Sequence, residues 1–324
     1  MGDFSIGIDI GGTKIAAGIV NKTGEVFHRK VTPTPKETKM RVLELLKDIV
    51  SSYISIAEKE RMHLIGIGIG SAGQINYKEG KILTGTDNIQ DWNDVAISDY
   101  LSKYTDLPIF LDNDATTFAI AEHQLGSGKG MSDVVCLTLG TGIGGGIISG
   151  GNVIRGEWGG AAELGHITVN MDGPKCNCGS HGCVETYASG SGIANRMKER
   201  LHELDTTTNE SAKTYFVENP DKLTSKEVFQ WYHDGCPIAD EVIDTAIKAL
   251  SYGMITIIHT FNPSRIILGG GIVEDREWLI VKINDRLSNL GMHALVNPVD
   301  IQISKLGYDA GLIGAAYQSW IANK

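Results

Sequence analysis

Four side chains with a strong preference for one class of ligand lie close together in this chain. Cys176, Cys178 and Cys183 follow His166 in the stretch GHITVNMDGPKCNCGSHGC. Thiolates and imidazole are the preferred ligands of zinc, and a structural zinc site takes four of them in a tetrahedron. Gly173, Pro174, Gly179 and Gly182 supply tight turns that let one short loop wrap an ion. Free thiols or a redox pair are the competing reading. No fourth cysteine is near, so His166 is expected to complete a structural Zn2+ set. Such a site leaves no open position for chemistry, and its role would be to order the loop and the carboxylates it carries. These are Glu163, three residues before His166, and Glu185, two after Cys183. Standing alone, each would be read as a solvated surface glutamate.

Three glycine-rich turns each follow an apolar run: Gly11-Gly12-Thr13-Lys14, the stretch from Gly140, Thr141 and Gly142 to Gly146, and Gly269-Gly270-Gly271. Glycine lets backbone N–H groups approach an anion closely, and threonine adds a hydroxyl donor. A tight hairpin explains any single turn equally well. None has Walker A spacing, and the G-x-G-x-x-G at Gly140, Gly142 and Gly145 is followed by strand-like sequence, so P-loop and dinucleotide readings fit poorly. Three turns together point to a polyphosphate cradle. Asp9, ending the first apolar run, is placed to hold Mg2+ through water or merely to cap the turn.

Asn113-Asp114 ends the run PIFLDND. Asp114 could cap the following helix, or act as a general base on a substrate hydroxyl, and the two roles are compatible. Asp112 is the rival carboxylate, on the same strand face by alternation.

The elements that must position these groups are legible in outline. The opening FSIGIDIGGTKIAAGIVNKTGEVFHRKVT reads as three strands, residues 36–61 as an amphipathic helix, and HLIGIGIG and LPIFLDND as strands. ATTFAIAEHQLG reads as a helix. VVCLTLGTGIGGGIISGG then repeats the strand–turn–strand shape of the N-terminus. A helix over 238–260, a strand RIILGGG, a helix over 276–287, a strand IQISKL and a final helix from Ala310 follow. Two copies of one α/β plan imply two similar domains. The first is expected over 1–114, joined by the C-terminal helix 310–324; the second is expected over 115–309, with the zinc loop 163–185. The polar segment 205–234 looks like an elaboration of the second domain and acquires no function from its sequence. Cys136 reads as a buried core thiol, and Cys236 precedes Pro237 in a turn.

Composition bounds the function classes. The 324 residues carry a net charge of −10, which argues against general binding to nucleic acid. No signal peptide pattern opens the chain, and no stretch approaches the roughly 18 apolar residues of a membrane span. A cytoplasmic location with reduced thiols and no membrane partner is expected.

Taken in order, DIGGTK, NDA, LGTGIGGG, ELGH, CNCGSHGCVE and LGGGI resemble the ROK family of sugar kinases over essentially the whole chain, most specifically in ELGH and the cysteine motif. The resemblance implies an actin-like α/β ATPase fold of two RNase H-like domains, with ATP and a hexose bound in the cleft between them. It implies Asp114 as catalytic base. It implies Asn113, Glu163, His166 and Glu185 as hydrogen-bonding partners of the sugar hydroxyls, with His166 also serving zinc. Gly11 to Lys14 and Gly140 to Gly142 become the phosphate loops, and Gly269 to Gly271 the adenosine site. Family members often form dimers or tetramers. The chain departs from many members at Ala72-Gly73, where they carry Pro-Gly, and at Thr116, where they carry Asn. Both positions belong near the sugar. The expected reaction is ATP- and Mg2+-dependent phosphorylation of a hexose at its 6-hydroxyl, glucose first; N-acetylmannosamine, N-acetylglucosamine or another hexose is the alternative. The family's transcriptional repressors carry a helix-turn-helix domain before the first strand. Only eight residues precede Asp9, so a sugar-responsive regulator is not expected.

Overall fold

The computed structural model describes residues 2–85, 89–203, 210–219 and 221–322. The chain runs β1 (Asp3–Ile10), β2 (Lys14–Asn21), β3 (Val26–Pro33), α1 (Lys39–Glu60), β4 (His63–Ser71), β5 (Gln74–Asn76), β6 (Lys81–Thr84), β7 (Val95–Ala96), α2 (Ile97–Leu101), β8 (Ile109–Asn113) and α3 (Asp114–Gln124). It continues through β9 (Val134–Leu139), β10 (Ile143–Ser149), β11 (Asn152–Val153), α4 (Glu185–Ala188), α5 (Gly190–Glu203), α6 (Glu210–Glu218), α7 (Ser225–His233) and α8 (Pro237–Phe261). It closes with β12 (Arg265–Gly269), α9 (Glu277–Leu287), α10 (His293–Val296), β13 (Asp300–Ile303) and α11 (Ala310–Ala322). Two compact units result: residues 1–136, 145–162 and 304–324 form one, and residues 137–144 and 163–303 the other.

In the first unit β3-β2-β1-β4-β8 form a five-stranded sheet, antiparallel from β3 to β1 and parallel from β1 to β8. The second five-stranded sheet has the order β11-β10-β9-β12-β13. In both, the first three strands step outward from the centre to one edge and the last two extend the sheet on the other side of the first, so the sequence repeat is a repeat of topology. The strands of the small sheet β5-β6-β7 are too short to carry periodicity; α5 does carry a helical signal, Ile193, Met197 and Leu201 recurring every four residues, which lies outside the elements named from the sequence.

The core of the first unit is aliphatic. Ile6, Ile8, Ile67 and Ile69 from the sheet pack with Val42, Leu46 and Val50 from α1. Helix α1 starts where Thr38 accepts the Arg41 N–H and ends at Arg61 in the left-handed conformation. On the opposite face lies α11, buried along nearly all its length. Glycines allow it to lie close: a Cβ on Gly68 would stand 1.6 Å from the Ala315 carbonyl oxygen, and one on Gly314 would stand 1.7 Å from that of Thr117. Helix α3 is thereby clamped against α11, which fixes the segment that opens with Asp114. In the second unit α8 is the central helix, with one face buried from Ile238 to Ile258. Cys136 is fully buried, as expected of a core thiol; Cys236 is the N-cap residue of α8. Within the segment 205–234, α6 and α7 are helical; residues 204–209 and 220 lie outside the described residues. Among the described residues no helix is long and apolar enough to cross a membrane.

Candidate active site and metal centre

The parallel strands of the first unit deliver their chemistry at their C-terminal ends. Register places Asp9 beside Gly70 and Gly70 beside Asp112; one step on, Ile10, Ser71 and Asn113 are aligned. In open α/β sheets this edge is where ligands bind. The β1–β2 turn is closed by the Gly11 N–H donating to the Lys14 carbonyl (3.0 Å) and tied to β3 by the Thr34 hydroxyl donating to the Gly11 carbonyl (2.7 Å). Burial pushes the Asp9 carboxyl from an ordinary 3.8 up to about 7. The Asp114 carboxylate adds to the rise, and the Lys14 ammonium opposes it. Burial raises Asp114 as well, against the Ala115 N–H that its Oδ1 accepts at 2.9 Å. A raised pKa makes a stronger base once the proton is gone, and a cation beside Asp9 would pull its pKa back down.

Of the two roles that the sequence leaves open for Asp114, capping falls to its neighbour. Asn113, not Asp114, is the N-cap: its Oδ1 accepts the N–H groups of Ala115 (2.9 Å) and Thr116 (3.3 Å). The chain is still extended at Asn113, with φ −66° and ψ 147°, and turns helical only at Asp114. The Asp114 carboxylate is thus not occupied as the cap. The amide of Asn113 donates to the Gly73 carbonyl at 3.0 Å. Gly73 has φ +110°, and a Cβ there would lie 2.3 Å from the Thr84 carbonyl oxygen, so only glycine fits. Thr116 is buried. Asp112 is fully buried and bound to Arg155, whose Nε lies 2.7 Å from its Oδ2. That ion pair separates Asp112 from the role of rival base.

In the second unit the β9–β10 turn is set by a carboxylate. Glu185 Oε2 accepts the Ile143 N–H at 2.7 Å, and a Cβ on Gly142 would stand 2.6 Å from the same oxygen. The Gly190 N–H donates to the Gly140 carbonyl (2.8 Å), and the Ile272 N–H to that of Leu139 (3.1 Å). The three segments line one cavity of about 550 Å³. Gly140, Thr141 and Gly271 form one side of it; Asn195 and Lys198 of α5, and Thr224 to Lys226 and Phe229 around α7, form the other. The α7 wall belongs to the segment whose function was not legible. Its one local signal was the capping box, in which Thr224 and Glu227 cap each other. Arg276 braces the Gly271 turn, donating to the carbonyls of Gly271 (2.9 Å), Ile272 and Glu274 while lying 4.3 Å from the Phe229 ring centroid. The volume suits a nucleotide.

His166, Cys176, Cys178 and Cys183 also meet in this unit. One ligand atom from each lies within 4.8 Å of the others. The Cys178 and Cys183 sulfurs are 3.7 Å apart, and His166 Nδ1 is 3.5 Å from the Cys176 sulfur. Tetrahedral zinc, with bonds of about 2.3 Å to sulfur and 2.0–2.1 Å to nitrogen, requires edges of about 3.8 and 3.6 Å. The set fits that ion. Burial and the neighbouring thiols push Cys183 up to about 12, a cost that metal-bound thiolates would not carry. His166 presents Nδ1 to the thiols and Nε2 towards Glu163, 4.0 Å from its Oε2. Bridges between Thr168 and Cys183 and between Lys175 and His181 close the loop. Glu185, two residues beyond Cys183, opens α4, so the cluster is joined through two peptide units to the carboxylate that holds the β9–β10 turn.

The profile of the ROK family matches residues 5–321. A glucokinase of Thermotoga maritima is 34% identical over 312 residues, covering 96% of this chain and 95% of its own. The ROK hexokinase of Thermus thermophilus superposes with a TM-score of 0.81 at 30% identity, over 99% of each chain. A ROK glucokinase from Streptomyces griseus in complex with glucose and AMPPNP superposes with a TM-score of 0.76 at 33% identity, over 97% of this chain and 98% of its own. These likenesses carry the actin-like α/β fold expected from the motifs.

Proposed function

The chain belongs to the ROK family, and from that premise we propose that it transfers the γ-phosphoryl group of ATP to the 6-hydroxyl of a hexose, glucose before others. The observation that carries the reading is Asp114: a carboxylate raised by burial at the C-terminal edge of the parallel strands, in a chain a third identical to a glucokinase along almost its whole length. In the proposed step Asp114 takes the hydroxyl proton, the sugar oxygen bonds to the γ-phosphorus, and the bond to the β-phosphate oxygen breaks to release ADP. Asn113, Glu163, His166 and Glu185 are assigned to the sugar hydroxyls, with the Gly73 backbone beside them. Gly11 to Lys14 and Gly140 to Gly142 are assigned to the phosphates, where backbone N–H groups offset developing charge. Gly269 to Gly271 and the α7 wall are assigned to the adenosine. Asp9 is the residue proposed to hold Mg2+, which when bound neutralises phosphate charge. His166, Cys176, Cys178 and Cys183 are proposed to hold a structural Zn2+ that keeps Glu163 and Glu185 in place.

A coupled ADP-release assay with ATP and Mg2+ across hexoses and N-acetylhexosamines tests the reading. The expected result is a preference for glucose. Preference for an N-acetylated sugar would replace the substrate and leave the reaction class. No ADP release with any hexose would overturn the proposal.

A further inference from the structure

Arg155 belongs to none of the sequence motifs, yet it is tied to the strand that presents Asn113 and Asp114. Its Nε lies 2.7 Å from Asp112 Oδ2, and the two side chains are 19% and 2% exposed. The guanidinium lies over the Tyr77 ring, 5.1 Å from its centroid. The other Asp112 oxygen accepts the Asn113 N–H at 3.0 Å. Asn113 in turn caps α3 and donates to the Gly73 carbonyl. A hydrogen-bonded chain therefore runs from Arg155 through Asp112 and Asn113 to Gly73 and to the first turn of α3.

Arg155 also opens the segment 155–162, which is fastened to the same unit at several points. The Tyr77 N–H donates to the Trp158 carbonyl (3.0 Å), and Lys78 pairs with Glu157 (3.1 Å). Gly159 lies so close to β5 that a Cβ would stand 2.0 Å from the Ile75 carbonyl oxygen. The Ala161 N–H returns to the Arg155 carbonyl (3.2 Å), folding the segment back on its first residue. Ala162 is then left-handed, with φ +68°, and Glu163 follows it. A non-glycine residue stays in that conformation only where its surroundings over-determine it. A buried ion pair adds little net stability, so its value here lies in the geometry it imposes.

Resting on the hexose-kinase reading, we propose that Arg155 is a positioning residue for sugar binding. It holds Asn113 and Asp114 through Asp112, and it sets the backbone that leads into Glu163. Residues held this way act through distances, and a displacement of about 1 Å at a binding group costs up to about 100-fold in rate.

The test is steady-state kinetics of the full chain with glucose and ATP, for wild type, Arg155→Met, Arg155→Lys, Asp112→Asn, the Asp112→Asn/Arg155→Met double variant and Tyr77→Leu. Wild-type turnover decides the hexose-kinase reading by itself; the variants decide the role of Arg155. Arg155→Met is expected to raise the glucose KM about 10- to 100-fold and lower kcat, with the ATP KM within about twofold of wild type. Lysine should restore part of the loss. The double variant should be no worse than Arg155→Met, because both residues act through one link. A glucose KM within about twofold of wild type, equal rises in both KM values, or fully additive effects in the double variant would each overturn the proposal. If Arg155→Met does not fold, Arg155→Lys and Tyr77→Leu decide: an unchanged glucose KM in both overturns it, and a selective rise supports it.

Discussion

Replacing Asp9 by Asn should make the protein more stable and less active, and the gain in stability should grow with pH. In the folded chain the Asp9 carboxyl sits at about 7, against an ordinary 3.8, chiefly because it is buried and secondly because Asp114 lies near. The folded state thus binds this proton more tightly than the unfolded chain does. Stability from this group is full below about pH 4, falls as pH rises, and levels off above about pH 7. The gap between 3.8 and about 7, at 1.36 kcal/mol per pH unit, is worth about 4 kcal/mol. Partial exposure of the residue reduces that to roughly 2–4 kcal/mol. For a chain of this length the corresponding difference in Tm is about 3–6 °C. The assay is thermal unfolding of wild type and Asp9→Asn from about pH 3 to 8.5 without nucleotide or divalent cation. The two should melt together at the acid end and separate with rising pH, the variant melting higher. Adding ATP with Mg2+ should stabilise wild type more than the variant, since a cation held at Asp9 would offset the buried charge. A Tm difference that stays flat with pH, or a wild type that is the more stable at pH 8, would refute the argument.

Asp114→Asn should lower kcat by about 10²–10⁴-fold while glucose binding, followed by calorimetry, persists. Because burial raises the Asp114 pKa and its carboxylate form is the proposed base, wild-type turnover should rise with pH through a value above the ordinary 3.8. Metal analysis should find one zinc per chain; Cys178→Ser should lose it and raise the glucose KM about 10- to 100-fold. In Gly142→Ala the new methyl would stand 2.6 Å from Glu185 Oε2, and relieving that overlap should cost about 1–3 kcal/mol in unfolding experiments and raise the ATP KM. Arg276→Ala removes the brace on the Gly271 turn; the ATP KM should rise about 10-fold or more with the glucose KM unchanged.

Local chemistry was legible without the structure. The four candidate metal ligands lie within one short stretch, and their residue types and spacing admit few readings. The paired glycine turns and the long helices α1 and α8 declare themselves through periodicity and turn residues. At Asn113-Asp114 the same local signal was ambiguous, because both residues are good caps and only the backbone angles show where the helix begins. Thr224 to Phe229 read as part of a polar elaboration, since nothing in a helix's own sequence says which cavity it will line.

The sequence by itself determined the class of chemistry, the four candidate metal ligands, the duplicated strand–turn–strand plan and the carboxylates available at the strand ends. These depend on residue types and on spacings of a few positions, which elementary geometry converts directly into structure. The tertiary structure alone decided the surroundings of each carboxylate. Asp112 is withdrawn by Arg155, 43 positions away along the chain, Asn113 takes the cap of α3 in place of Asp114, and Asp9 is raised by burial beside Asp114. Pairing, desolvation and charge coupling depend on distance in space, and residues far apart in sequence come within that range only when the chain folds.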